Sequence, residues 1–280
     1  MGYGDDIFTT GEISFLLKNN PDAKFIIGDG SRSWWSEIFE NNKSIIKAND
    51  ISKYSNIIWI DNYPHHRPYR IYNKKNHSKK ITWNKSFKAK KGKIFFTKKE
   101  LSFAKNIYNK IRKNYPGKKI IHIEPNVQLK KWHINRDWGF EKWQTIVENL
   151  KHEFIFFQVS YGVQKKLRNV INLHNVNFRS ASALLSQTDL FIGPHGGMAI
   201  AAAALDKKAV VIFGGWCDPK NLGYNIHTNL FIKNKKSPCG SKYECKHCKK
   251  CMDLITIEMV IKEINKLLSF NFKLIDSRNA

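Results

Sequence analysis

The chain has 280 residues, of which 42% are hydrophobic and 13% aromatic, and this composition excludes an intrinsically disordered protein. No apolar run approaches the roughly 20 residues that a membrane-spanning helix needs, and the first apolar stretch is too short for a signal peptide, so we expect a cytoplasmic protein. The net charge of +25 predicts an acidic partner: a nucleic acid, an anionic lipid surface or a phosphorylated glycan.

Short apolar runs alternate with helical patterns along almost the whole chain, which predicts an α/β fold with parallel sheets. The predicted strands are 25–28, 56–61, 93–97, 119–124, 153–159, 190–193, 209–215 and 229–232. The predicted helices are 6–17, 99–114, 140–150, 181–187, 197–205 and 257–268. A Pro-Gly turn within 114–119 ends a long helix just before a strong strand, so we place a domain boundary there, between residues 1–115 and 116–280.

The segment GYGDD at residues 2–6 precedes the body of the first predicted helix. Gly2 and Gly4 allow backbone angles that other residues avoid, and Asp5 or Asp6 can cap the helix. From spacing alone, a helix cap explains these two acids, so a chemical role needs further support.

Glycine-rich loops follow several predicted strands, and ligands bind at those strand ends in open parallel sheets. His195, Gly196 and Gly197 precede an alanine-rich helix, whose bare N-terminal amides suit a diphosphate. Gly214 and Gly215 follow the next strand and belong to the same set of tight loops. A plain strand–turn–helix corner is the alternative, but it leaves the adjacent glycines and the histidine unexplained.

Two groups of cations are candidates to meet an anion. Arg136 precedes helix 140–150, where it can contact the same phosphates from the opposite wall, or can simply be an exposed arginine. Lysines crowd residues 73–100 more densely than the rest of this basic chain. We expect an acidic ligand near this run, with a solvated surface as the alternative.

Four of the five cysteines lie close together in the pattern C-x5-C-x2-C-x2-C. Cys239, Cys245, Cys248 and Cys251 can hold a tetrahedral structural zinc ion. An iron–sulfur cluster and a set of reduced thiols in a packed tail are the alternatives.

Four stretches resemble, in the right order, segments of the heptosyltransferase-like glycosyltransferases of family 9. They are GYGDD with TTGE (2–12), NRDWGFEKWQTIVENL (135–150), LLSQTDLFIGPHGGMAIAAAALDKKAVVIFGG (184–215) and CGSKYECKHCKKCMDLITIEMVIKEI (239–264). The resemblance implies the GT-B architecture, in which two Rossmann-like parallel-sheet domains face each other across a cleft. Residues 1–115 are then the acceptor domain and 116–280 the nucleotide-sugar domain, with the last helix a candidate to pack back on the first.

The family's activity is implied in the same way: inverting transfer of a heptose-like or other sugar from a nucleoside diphosphate to a cell-surface or lipopolysaccharide-type glycan, without a catalytic metal. Asp5 matches the family's general base and Arg136 its diphosphate-binding cation. The donor loop, Asp-Thr-Gly in the family, falls on His195, Gly196 and Gly197. The acceptor would meet the lysine run, with Lys79, Lys80, Lys88, Lys90 and Lys91 as candidate contacts and a peripheral membrane position as a further expectation.

Two other interpretations stay open. His195 replaces an acid and Ile200 a histidine of the family, which is compatible with a degenerate GT-B protein that binds sugar nucleotide or glycan without transferring. The charge and the zinc candidate are compatible with a nucleic-acid-binding protein. The sequence disfavours it, because no basic stripe with interleaved aromatic residues lies on a recognisable module.

Overall fold

The computed structural model describes residues 2–61, 66–72, 79–127, 131–160, 162 and 164–270, so part of the lysine run (73–78) lies outside the described residues. The helices and strands before residue 115 are α1 (Tyr3–Leu16), β1 (Lys24–Ile27), β2 (Ile57–Ile60), β3 (Arg70–Ile71), β4 (Thr82–Trp83) and α2 (Lys98–Asn114).

The remaining elements are β5 (Lys119–Ile123), α3 (Phe140–Leu150), β6 (Phe154–Ser160), β7 (Ile171–His174), α4 (Phe178–Leu185), β8 (Leu190–Pro194), α5 (Gly197–Ala204), β9 (Ala209–Gly214), α6 (Pro219–Leu222), β10 (His227–Phe231), α7 (Lys246–Asp253) and α8 (Ile257–Leu268). Most of them follow the predicted alternation of strand and helix, and β7, α6 and α7 were not predicted. Short 3-10 turns lie at Glu37–Phe39, Ala48–Lys53 and Lys131–Arg136.

Six parallel strands form one sheet in the order β10-β9-β8-β5-β6-β7. Successive side chains alternate between two cores: one face packs with α3 and α8, and the other packs with α2, α4 and α5. The chain enters the sheet at β5, crosses to β6 on one side and later to β8 on the other. The topological switch point therefore lies between β5 and β8.

The part before residue 115 has a much smaller sheet. Among the described residues, β1 and β2 pair in parallel, and β3 and β4 form a short antiparallel pair. The predicted strand 93–97 is wrong, because this segment runs along α1 instead of beside a strand. The Lys93 amide donates to Thr10 Oγ1 at 2.8 Å, and a Cβ added to Gly92 would lie 2.4 Å from the Ile7 carbonyl oxygen.

Two helix pairs join the small sheet's region to the large sheet: α1 packs on α5, and α2 packs on α4. Gly4 allows α1 to approach α5 closely, because a Cβ at this position would lie 2.8 Å from Ile200 Cδ1 and 3.3 Å from Gly197 Cα. Arg179 of α4 pairs with Glu100 of α2 at 2.6 Å. The closing helix α8 packs against α3, β8 and β9 of the large sheet.

None of the helices in the described part of the chain has the length and apolar character to cross a bilayer.

Candidate active site

A cleft of about 550 Å³ lies at the carboxyl ends of β5 and β8, at the switch point of the large sheet. This is where open parallel sheets bind their ligands. Asp5, Arg67 and Tyr69 line it from one side, and Glu124, Arg136 and residues 194–197 line it from the other. The cleft therefore brings together Asp5, Arg136 and the glycine loop, which are far apart in the sequence.

Asp5 lies in the first turn of α1, where the helix dipole favours a carboxylate. Tyr69 OH donates to Asp5 Oδ1 at 2.5 Å, and Arg67 Nε donates to Oδ2 at 2.8 Å. These two donors fix the side chain at the cleft wall. Each carboxylate oxygen keeps a second lone pair for a further hydrogen bond.

Neither acid of the GYGDD segment is a helix cap. The N-cap of α1 is Gly2, with no side-chain capping bond, and Asp5 and Asp6 lie inside the helix. Asp6 is 2% exposed and accepts a hydrogen bond from the Ser36 hydroxyl at 2.7 Å. Burial raises the Asp6 pKa to about 6. The two neighbouring acids therefore have different environments, and Asp5 is the one on the cleft.

Arg136 enters the cleft from the turn before α3. Its Nη1 donates to the His195 carbonyl oxygen at 2.8 Å, and its guanidinium lies 5.5 Å from the centre of the Trp216 ring. The Trp216 indole in turn donates to the Ser241 carbonyl oxygen at 2.8 Å. A carbonyl and an aromatic face thus hold the guanidinium beside the loop that begins α5.

The start of α5 offers main-chain donors to the cleft. Gly196 is the N-cap of this helix, without a side-chain capping bond, and Gly197 is its first residue. A Cβ on Gly197 would lie 3.1 Å from the Phe178 ring. The N-terminal ends of α1 and α5 meet here, so two helix dipoles place partial positive charge at one point.

His195 does not extend its imidazole toward the other predicted groups. The ring stacks on Phe213 with a centroid distance of 4.4 Å, and Nδ1 lies 3.6 Å from Cys217 Sγ. Burial, and then the Arg136 charge, lower the His195 pKa to about 3. A neutral buried ring is a poor phosphate ligand, and it is the His195 carbonyl that faces Arg136.

Gly214 and Gly215 are not on the cleft. Gly214 has a φ of +63°, and a Cβ there would lie 2.7 Å from the Met252 side chain. A Cβ on Gly215 would lie 2.6 Å from Cys251 Sγ. These glycines let α7 pack closely on the end of β9, so the prediction that they bind the donor does not fit their positions.

The candidate acceptor lysines also lie off the cleft, and three of them contact other parts of the protein. Lys90 pairs with Glu12 at 2.8 Å, Lys91 pairs with Asp206 at 2.7 Å, and Lys88 donates to the Lys220 carbonyl oxygen at 3.0 Å. Lys79 and Lys80 lie on a segment bridged to Ser241 and Lys242.

The cations on the cleft are instead Arg67, Arg70 and Arg136. The sequence did not point to Arg67 and Arg70, although both lie in the segment RPYR (67–70), just before the lysine run. Asp5 pairs with Arg67 and balances one of the three positive charges. Burial raises the pKa of Glu124, another residue not predicted, to about 8, so this carboxyl is mostly neutral at pH 7. The cleft as a whole suits an anion with more than one negative charge.

Three of the four clustered cysteines come together. The Sγ atoms of Cys239, Cys245 and Cys248 lie within 4.8 Å of one another, so this group can hold a metal ion. Cys251 is outside the group, and its Sγ lies 3.6 Å from both His247 Nε2 and Asn234 Nδ2. The predicted four-cysteine site is therefore a three-cysteine site among the described residues.

Comparison with solved structures identifies the architecture. The glycosyl transferase family 9 protein from Veillonella parvula DSM 2008 superimposes with a TM-score of 0.66 at 13% identity, over 96% of this chain and 95% of that one. This chain has the fold of that glycosyltransferase. The predicted α/β class with GT-B architecture, and the resemblance from which it came, are thereby confirmed at the level of the fold.

Two more distant matches cover about half of the other protein. E. coli ADP-heptose lps heptosyltransferase II matches with a TM-score of 0.46 and 13% identity, over 64% of this chain and 54% of that one. The iron-containing dodecameric glycosyltransferase TibC from enterotoxigenic E. coli H10407 matches with 0.45 and 17%, over 54% and 45%. No family model and no curated protein matches the chain.

Proposed function

We propose that this protein is a glycosyltransferase that moves a sugar from a nucleoside diphosphate to an acceptor hydroxyl. The observation that carries the proposal is the cleft at the switch point, where Asp5 faces Arg136 and the N-terminus of α5. A carboxylate on one wall and anion-binding groups on the other are what this transfer needs.

The leaving group of such a reaction is a diphosphate. Its bond to the anomeric carbon breaks in the transition state, and the bridging oxygen gains negative charge. Arg136 and the main-chain amides at the start of α5 are fixed before the reaction and can stabilise that charge. The protein's own groups supply this role, so we propose that transfer does not depend on a catalytic metal.

Asp5 is the proposed general base. The acceptor oxygen attacks the anomeric carbon from the face opposite the diphosphate, its proton passes to Asp5, and the configuration inverts. The bonds from Tyr69 and Arg67 orient the carboxylate for this step. Asp6 is excluded from it because its side chain is buried against Ser36.

An acidic glycan remains the proposed acceptor, with heptose-like sugars among the candidate donors. Arg67 and Arg70 lie beside Asp5 and can bind an anionic group close to the reacting hydroxyl. None of the described lysines of the run, from Lys79 to Lys99, lines the cleft, and we propose that they contact more distant parts of the acceptor. We further propose a cytoplasmic protein that contacts an anionic membrane surface, which co-sedimentation with anionic and neutral vesicles tests.

A structural zinc ion is proposed at Cys239, Cys245 and Cys248. Thiolates bound to one tetrahedral zinc ion lie ~3.8 Å apart, and the Sγ atoms of Cys239 and Cys245 are 3.5 Å apart. Elemental analysis of purified protein should find about one zinc per chain. Cys239→Ser should lose the metal and Cys251→Ser should keep it. If both variants lose the metal equally, Cys251 is also a zinc ligand.

The test of the function is a binding panel followed by a transfer assay. ADP, GDP, UDP, CDP, dTDP and their sugars are screened by thermal shift, with a DNA oligonucleotide alongside at the same salt concentration. A ligand at 100 times its Kd adds about 2.7 kcal/mol of stability, which is easily measured. Arg136→Ala should lose most of the nucleotide response, while Lys91→Ala, at an exposed pair, should keep it.

A response to one nucleotide class then names the donor for the transfer assay, which is run with and without EDTA. A flat nucleotide response together with a strong, salt-sensitive DNA response would contradict the proposal and favour nucleic-acid binding.

A further inference from the structure

His133 is a residue of the cleft, beside Arg136, that the transfer reaction does not use. Both residues belong to the 3-10 turn Lys131–Arg136. Residues three apart eclipse one another in a 3-10 helix, so this turn presents His133 and Arg136 on the same face. Arg136 Nη2 donates a hydrogen bond to His133 Nδ1. The spacing H-x-x-R therefore places an imidazole acceptor against the proposed diphosphate-binding cation.

The turn that carries these two residues is anchored to the segment 241–243. The Asn135 side chain is buried, and its Nδ2 donates to the carbonyl oxygens of Tyr243 at 2.7 Å and Ser241 at 3.3 Å. The Ser241 carbonyl oxygen also accepts from the indole of Trp216, whose ring lies against the guanidinium. The backbone of the turn is thus held by the protein itself, without help from a ligand.

The hydrogen bond requires a neutral His133, because an arginine only donates and a protonated imidazole has no acceptor. Burial, and then the Arg136 charge, lower the His133 pKa to about 4, so the ring is neutral at pH 7. With Nδ1 as the acceptor, the ring proton is on Nε2. His133 thus gives Arg136 a partner that brings no negative charge, and the guanidinium keeps its full charge for an anion.

A competing partner for Arg136 lies on the opposite wall of the cleft. Burial lowers the Arg136 pKa, and the negative charge of Asp5 is among the effects that oppose this lowering. Direct pairing of Arg136 with Asp5 would occupy the proposed diphosphate site and the proposed base together. Arg67 and Tyr69 hold Asp5 on its own wall, and His133 holds Arg136 on the other. The two charges are therefore kept apart by separate sets of hydrogen bonds.

We propose that His133 is a positioning residue for the donor diphosphate: its Nδ1 holds the Arg136 guanidinium on the α5 wall, directed at the anion and apart from Asp5. The inference rests on the proposed function and deepens it by naming the side chain that orients the diphosphate-binding cation. His133 acts through Arg136. Without this acceptor the guanidinium would have to be reoriented when the ligand binds, so the affinity for any ligand with a diphosphate would fall.

Isothermal titration calorimetry of the full chain tests this with inorganic pyrophosphate and with the nucleoside diphosphate that wild type binds best. Asparagine and leucine have nearly the same shape, but only asparagine can place an oxygen acceptor near the position of His133 Nδ1. His133→Leu should weaken both ligands about tenfold, and His133→Asn should stay within about threefold of wild type. His152→Leu, at an exposed histidine after α3, is the matched control and should change neither affinity.

A double-mutant cycle separates action through Arg136 from direct contact with the ligand. Arg136→Ala removes the donor to His133, and it weakens the binding of the nucleotide. In this background His133→Leu should cause no further loss of nucleotide affinity. A further tenfold loss would mean that His133 binds the ligand itself, which overturns the inference.

The other outcomes separate this inference from the proposed function. Wild type that binds neither ligand contradicts the function itself. Normal affinities in His133→Leu overturn only the role of His133. Equal weakening in His133→Leu and His133→Asn would mean that the imidazole ring matters for packing and not as an acceptor, which also overturns the inference.

Discussion

The two walls of the cleft are built in different ways. The wall formed by α5 and β8 rests on a six-stranded sheet, and it faces the ligand with main-chain amides and with Arg136, which the His195 carbonyl oxygen and the Trp216 ring hold. The wall formed by α1 rests on two short strands, and it faces the ligand with side chains that hold one another, namely Asp5, Arg67 and Tyr69. Main-chain amides at a helix start need no partner to hold their direction, whereas a carboxylate must be oriented by its neighbours.

This difference assigns binding to the wall at α5 and proton transfer to the wall at α1. Variants on the two walls should therefore separate nucleotide affinity from turnover. The following predictions test that division, beginning with the largest effect.

Asp5→Asn should lower turnover by about 10²–10⁴-fold, because the amide cannot take the acceptor proton. Nucleotide affinity should stay within about twofold of wild type, since the diphosphate lies on the other wall. Steady-state rates and calorimetric Kd values measure the two separately. Asp6→Asn is the matched control and should keep its turnover; a loss in both variants would point to damage in α1, and unchanged turnover in Asp5→Asn would exclude the proposed base.

Arg179 of α4 joins the large sheet to the part of the chain before residue 115, and its removal should have the largest effect on stability. It pairs with Glu100, with side chains only 4% and 13% exposed, and it donates to the carbonyl oxygens of Glu37 and Phe95. Arg179→Ala removes the cation of the half-buried Glu100 carboxylate and the donor to two carbonyl oxygens, which should cost about 3 kcal/mol in urea unfolding. Lys91→Ala breaks the exposed pair with Asp206 and should cost about 1 kcal/mol or less. Equal losses would mean that the contacts of Arg179 contribute no more stability than an exposed ion pair.

Asp6 should make the α1 wall less stable as the pH rises. Its folded pKa of about 6 is above the usual 3.8, so stability that is present below pH 3.8 is lost as the pH rises through 6. The loss is about 3 kcal/mol at pH 7.5. Asp6→Asn stays neutral and should exceed wild type in stability at pH 7.5, with the gap closing toward pH 4. Urea unfolding at three pH values measures this, and a gap independent of pH would contradict it.

His122 should give the sheet the opposite pH dependence. It lies in β5 between Phe157 and Phe191, and neither ring nitrogen has a hydrogen-bond partner among the described residues. Burial lowers its pKa from 6.5 to about 3, so the unfolded chain takes up the proton first as the pH falls. This residue should cost about 1.4 kcal/mol by pH 5.5. In His122→Leu that part of the acid sensitivity should disappear, and an unchanged pH slope would show that the ring is hydrated in the fold.

The sequence predicted most of the parallel strands, including 25–28 and 56–61, which match β1 and β2 to within one residue, but it did not predict the short antiparallel pair β3 and β4. The predicted helices 140–150 and 257–268 match α3 and α8 at both ends, because their apolar spacing decides which face is buried. The edge strand β7, with the half-buried sequence INLH, was not predicted because it has no continuous apolar run. The segment 93–97 has a strand-like composition, but its backbone bonds to α1, which a local pattern does not reveal.

Some residues of the candidate site could likewise be predicted from the sequence, and others could not. The loop 195–197 could be found from its place between a strand and a helix, whereas Asp5 and Arg136 were singled out by the resemblance to family 9. Arg67 and Arg70 could not, since nothing in their local sequence shows that they line the cleft. Glu124 stands at the end of a predicted strand, but its local sequence does not show that it lies at the switch point. For the same reason, composition overstated the lysine run, where Lys88, Lys90 and Lys91 bind other parts of the chain.

By itself the sequence determined most of the strands and helices of the large sheet, their buried faces and the loops at its carboxyl edge, because these follow from apolar periodicity and from turn residues that act over a few positions. Only the tertiary structure decided which of two adjacent acids faces the cleft, which cations surround it and which three cysteines meet. Those outcomes depend on contacts between residues distant in the chain, such as Asp5 with Arg67 and Cys239 with Cys245, and on burial, which sets the charge of Glu124 and His195.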